Sequence, residues 1–114
     1  MDKRRILKLT NEELAYKAKE LNARDELYIY ADDMRYAWWL AESVYGRGGK
    51  IKDGAWVLGT SHNGRDCAHA CLMWKSKSFT KFRPLKVEVD CPCGEMARAI
   101  TLCWVCAMLG VSDE

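Results

Sequence analysis

Six cysteines and two histidines fall between His62 and Cys106, in two knots of potential metal chemistry. The first is Cys67-Ala68-His69-Ala70-Cys71, and the second is Asp90-Cys91-Pro92-Cys93-Gly94-Glu95-Met96. Thiolate sulfur and imidazole nitrogen are ordinary zinc ligands. Four of them make a structural site, whereas three plus a water make a catalytic one. Residues 1–10 are charged and lack the roughly 7–15-residue apolar core of a signal peptide. No run reaches the roughly 18 apolar residues of a membrane span. The expected location is therefore cytoplasmic, where thiols stay reduced. Clustered cysteines then read as metal ligands or buried packing rather than as disulfides.

His69-Ala70-Cys71, followed some two dozen residues later by Pro92-Cys93, resembles the metal signature of zinc-dependent cytidine and tRNA-adenosine deaminases, H-x-E then P-C-x-x-C. Residues 64–70 look like the approach to the first ligand in the adenosine enzymes. Residues 87–94 are similar to the strand and turn of the cytidine enzymes. The resemblance spans roughly residues 30–110, and its diagnostic part is His69, Pro92 and Cys93. It implies a deaminase-like layered sheet with helices, zinc as cofactor, and His69 and Cys93 as ligands. The chain departs from the pattern at two places. Cys71 stands where the proton-shuttling Glu belongs, and Met96 stands where the last Cys ligand belongs. A thiolate at Cys71 would bind the metal and fill the water's position. The implied outcome is a closed, structural zinc site of His69, Cys71 and Cys93, with Cys91 or Cys67 as fourth ligand. The catalytic alternative is a divergent nucleoside or nucleobase deaminase on His69 and Cys93, with Glu95 as acid/base group.

A rival metal set is Cys91, Cys93, Cys103 and Cys106, the paired thiols of a zinc ribbon or knuckle. It requires a turn between the pairs. One continuous helix over 95–106 would hold Cys93 and Cys103 about 15 Å apart. Cys103 and Cys106 also read as core residues, because free Cys is among the most buried types and their neighbours are apolar.

A second chemistry lies in residues 74–86, which carry five basic residues, three aromatics and no acid. Lys75, Lys77, Lys81 and Arg83 interleaved with Phe79 and Phe82 suit a nucleic-acid strand, with cations on phosphates and rings on bases. The bland reading is a solvated loop anchored by its rings. The net charge of +2 supports no bulk attraction to nucleic acid or membrane. The expected function is a small, non-catalytic zinc-binding domain for a nucleic-acid or protein partner. A small inhibitor or adaptor of the kind mobile elements encode is a further alternative.

The elements that must position these residues read as one mixed α/β domain over 1–114, with residues 1–24 as a helical extension and 25–110 as the core. A chain of 114 residues, 49% apolar, is long enough for a single core without metal. Thr10 and Glu13 form a capping box, flanked by Leu9 and Leu14 as a hydrophobic staple, ahead of a helix with Leu14, Ala18 and Leu21 on one face. A second helix is expected over 25–45, capped by Asp25 and ended by Gly46. Its inward stripe is Leu27, Ala31, Met34, Trp38, Ala41 and Tyr45, widened by Ala37, Leu40 and Val44. Residues 55–60 read as a strand buried on both faces, 61–66 as a polar turn, and 67–75 as a short helix capped by Asp66. Leu85, Val87 and Val89 alternate with Lys86, Glu88 and Asp90 as a half-buried strand. A helix begins at Glu95, and residues 103–109 either extend it or form a last strand.

Overall fold

A computed structural model describes residues 2–22, 32–42, 56–62, 67–74 and 85–113. They form four helices, α1 (Lys3–Leu7), α2 (Asn11–Asn22), α3 (Met34–Glu42) and α4 (Met96–Met108), and three strands, β1 (Trp56–His62), β2 (Cys67–Trp74) and β3 (Leu85–Pro92). The strands make an antiparallel meander in the order β1-β2-β3. One face of this sheet packs on α4, and α1, α2 and α3 pack against α4 in turn. The architecture is a three-stranded sheet, a central helix and an outer layer of helices.

The central helix explains the closing apolar run. Residues 99–107 are buried without interruption, as expected of a helix covered on all sides. Its continuity settles the choice left open at 103–109. The end is a Schellman motif: Gly110 has φ +73°, its N–H donates to the Ala107 carbonyl, and the Val111 N–H donates to the Cys106 carbonyl.

At the N-terminus the capping box is present in both directions. The Glu13 N–H donates to Thr10 Oγ1 at 3.1 Å, and the Thr10 N–H donates to Glu13 Oε1 at 3.0 Å. Leu14 and Ala18 are buried, and Leu21 packs against the same core. Residues 3–7, read as a charged terminus, form a helix turn capped by the Asp2 carboxylate, and its Ile6 is fully buried. The N-terminal helices are thus part of the core rather than an appendage to it.

Three expectations are corrected. Residues 67–74 form a strand, not a helix. Alanine composition and a capping Asp66 favour a helix locally, but Ala68, Ala70 and Leu72 alternate with His69, Cys71 and Met73. Pairing on both sides makes that period of two decisive. Second, β1 is an edge strand, with Gly59, Thr60 and Ser61 exposed, and not a strand buried on both faces. It also runs on through Ser61 and His62, which the sequence places in a turn.

Third, only the side of the expected α3 stripe that Ala37 and Leu40 add turns inward. Ala37 and Leu40 are buried, whereas Met34 and Trp38 are 38% and 41% exposed. The centres of the stripes 34/38 and 37/40 lie about 110° apart on a helix of 3.6 residues per turn. Both are apolar, and contact with α4 selects the one led by small Ala37. The described helix is capped by the Asp33 carboxylate, which accepts from the Arg35 N–H at 2.9 Å. Asp25, Leu27, Ala31, Val44, Tyr45 and Gly46 lie outside the described residues.

Candidate functional site

Residues paired across an antiparallel ladder share a face. Ala68, Ala70 and Leu72 pair with Cys91, Val89 and Val87, and all six are buried toward α4. The intervening residues occupy the other face: His69 opposite Asp90, Cys71 opposite Glu88 and Met73 opposite Lys86. Gly59 and Ser61 continue that face onto β1, across from Cys71 and His69. Among the described residues no element covers it.

His69 is the most constrained group on this face. Its Nδ1 lies 2.8 Å from Asp90 Oδ1, directly across the ladder, and its Nε2 lies 3.7 Å from Glu88 Oε1 on the diagonal. Lys86 Nζ reaches the other oxygen of Glu88 at 3.8 Å. Burial, and then the charge of Glu88, push the Cys71 thiol up. The arrangement is an imidazole, its side chain 19% exposed, bracketed by two carboxylates on the face away from α4, beside a partly buried thiol.

The expected ligand set does not converge. His69 and Cys71 are on the open face, Cys91 is on the covered face, and Cys93 is exposed in the turn beyond β3. The sheet itself separates Cys91 from His69. Among the described residues no group of three His, Cys, Asp or Glu side chains is disposed to hold a metal ion. The approach to the deaminase pattern is also altered, because His69 lies within the central strand and not on the first turn of a helix. The Pro92-Cys93 turn does lead into a helix, with Gly94 at φ +87° and the Glu95 N–H donating to the Pro92 carbonyl at 3.0 Å.

The rival set is corrected by the same elements. α4 runs unbroken from Met96 to Met108, so the turn that this set requires between Cys93 and Cys103 is absent. Cys103 and Cys106 are fully buried. Burial pushes both thiols up, that of Cys106 to about 11 and that of Cys103 further. Cys103 Sγ donates to the Ala70 carbonyl at 3.4 Å, so it packs directly on β2. Both are core residues.

Lys75, Lys77, Phe79, Lys81, Phe82 and Arg83 lie outside the described residues, in the connection from β2 to β3. Cys67 stands across from Pro92 at the end of the ladder.

Sequence reasoning missed two polar groups that organise the molecule. Arg98 donates to Asn11 Oδ1 at 2.7 Å and to the carbonyls of Leu7 at 3.2 Å and Leu9 at 2.6 Å, joining α4 to the α1–α2 turn. The Asp113 carboxylate accepts from the Glu88 N–H at 2.9 Å and pairs with the Lys3 ammonium. Neither has a local signature, because each joins residues more than 20 positions apart. The partners of His69 were legible in principle, once the period of two in 67–74 is paired with that in 85–92.

Comparisons with protein-family models, with curated proteins and with solved structures find no match to this chain. The fold defines it as a small mixed domain of helices and a three-stranded antiparallel sheet. No described helix is long and apolar enough to cross a membrane.

Proposed function

We propose that this chain is a non-catalytic binding domain that docks a protein partner on the open face of its sheet. The observation that carries the reading is the sheet itself, covered by α4 on one face and presenting His69, Cys71, Met73, Lys86, Glu88 and Asp90 on the other. The face mixes a thioether, a half-buried thiol and ion-paired groups, the composition of an interface rather than of a reaction centre. Its exposed carboxylates, Glu88 and Asp90, oppose a phosphate backbone and favour a partner that brings Lys or Arg. Among the described residues His69 and Cys71 lie on one face of the sheet and Cys91 on the other, which favours this reading over a zinc site of His69, Cys71, Cys91 and Cys93.

The test places a photo-crosslinking amino acid at Met73, and in a second protein at Tyr16, which is exposed on α2. Crosslinking in an extract of the source cells is expected to give a protein adduct from position 73 and none from position 16. The combined Glu88→Lys and Asp90→Lys change is expected to remove it. An adduct to RNA or DNA from position 73 would instead favour the nucleic-acid reading of the basic residues 75–83. Adducts from position 16 alone would overturn the docking face. Zinc at one ion per chain, or ammonia release from cytidine or adenosine, would overturn the non-metal, non-catalytic reading.

A further inference from the structure

The two edges of the sheet differ. Along the outer edge of β3 the chain pairs with itself: the Asp113 N–H donates to the Lys86 carbonyl at 2.8 Å, and the Glu88 N–H donates to the Asp113 carboxylate at 2.9 Å. Along the outer edge of β1 no described residue pairs. Natural edge strands are blunted by charges, prolines, bulges or brevity. β1, Trp-Val-Leu-Gly-Thr-Ser-His, has seven residues, no Asp, Glu, Lys, Arg or Pro, and an unbroken register against β2.

Gly59 adds an independent observation. A strand glycine costs roughly 0.5–1 kcal/mol relative to Ala, and here nothing among the described residues requires it. Its φ is outside the left-handed region, and a Cβ built on it meets no atom within 4 Å. Glycine inside a strand commonly marks a place where another backbone approaches closely. Gly59 is also the middle residue of β1.

From these observations we infer that β1 is a self-pairing edge. Two copies of the chain join β1 to β1, antiparallel, about a two-fold axis through Gly59, and the two sheets become one of six strands. Gly59 then faces Gly59 of the second copy, Leu58 faces Thr60, Val57 faces Ser61 and Trp56 faces His62. The contact is isologous, so every pairing except Gly59 with Gly59 occurs twice. The strand carries no Asp, Glu, Lys or Arg to oppose its own copy, and the net charge of +2 per chain adds little repulsion. The axis stands perpendicular to the sheet, which puts both helical layers on one side and merges both open faces on the other. The inference concerns an edge and a second copy, and it stands or falls apart from the docking of another protein on the face.

Sedimentation of the full chain across the micromolar range tests it. The wild-type mass is expected to rise with concentration from 13.1 kDa toward twice that value. Gly59→Lys sets two ammonium groups directly opposite each other and is expected to weaken dimerisation by at least about tenfold. Gly59→Glu is expected to do the same, and an equimolar mixture of the two is expected to restore the dimer. At concentrations where wild type is monomeric, each single variant is expected to keep the wild-type Tm or exceed it, because the site is open and loss of glycine restricts the unfolded chain. A wild type that stays at 13.1 kDa, a Gly59→Lys protein that dimerises as tightly as wild type, or a mixture no tighter than its components would each overturn the proposal.

Discussion

Replacing Arg98 by Met keeps the aliphatic stem on α4 and removes the guanidinium that binds Asn11, Leu7 and Leu9. The Leu7 and Leu9 carbonyls flank the end of α1, where helix carbonyls have no partner within the helix. Hydrogen bonds from a charged donor contribute about 1.5–3 kcal/mol each, and an orphaned carbonyl costs about 1–3 kcal/mol when water is kept out. Arg98 is only half-buried, so water recovers part of that loss. A net destabilisation of about 2–3 kcal/mol follows for the three bonds together. A 114-residue domain unfolds with an entropy of about 0.24 kcal/mol/K, so Tm should fall by about 8–12 °C. Urea unfolding followed by far-ultraviolet circular dichroism should show a lower midpoint at unchanged slope, because the surface exposed on unfolding is nearly the same. Arg98→Lys should recover only part of the loss, since an ammonium cannot span the same three acceptors from one plane. Combining Arg98→Met with Asn11→Ala should cost less than the two changes added separately. A loss under about 0.5 kcal/mol for Arg98→Met, the range of an ordinary surface substitution, would refute the clamp.

Four further outcomes are expected. Thr10→Ala should destabilise by about 1 kcal/mol through loss of the cap on α2, read from the urea midpoint. Glu13 is held below the ordinary carboxylate range by the Thr10 N–H and then by the Thr10 hydroxyl, and Asp33 is lowered by the Arg35 side chain and then by its N–H. The stability these groups contribute is present above the ordinary carboxylate pKa and is lost as pH falls through their lowered values. An acid titration of Tm should therefore decline less steeply in Asp33→Asn than in wild type. At the alkaline end, Cys106 is raised to about 11 and Cys103 further, both first by burial. Their contribution is complete below the ordinary thiol pKa and is lost as pH rises from there through the folded values. The loss is at most about 1.4 kcal/mol per thiol per pH unit, and Cys106→Ala should flatten that decline. Gly110→Ala should cost about 1 kcal/mol, because the Schellman turn holds this residue at φ +73°; an unchanged urea midpoint would show that the turn is not held in solution.

How much was legible depended on whether a pattern was local. The Thr10/Glu13 box and the Leu14/Ala18 face need only four to eight consecutive residues, and both are present as read. The alternation at 85–90 likewise exposes Glu88 and Asp90 and buries Val87 and Val89. The faces of the Cys/His window were not legible, for a non-local reason. The resemblance places His69 on the first turn of a helix. One change of element, from helix to strand at 67–74, leaves His69 and Cys71 on the face opposite Cys91. Ala-rich residues suit either element, and only the pairing of β2 between β1 and β3 chose.

The amino-acid order alone decided where α2 starts, that 85–90 is half-buried, and that 95–109 is an apolar segment. Each follows from hydrogen bonds or side-chain alternation within a few residues. The tertiary structure decided which apolar stripe of α3 meets α4, that β1 lies at an edge, and that His69 is paired with carboxylates rather than gathered with thiols. Those outcomes depend on which surface covers which, and a covering surface is supplied by residues far away in the chain.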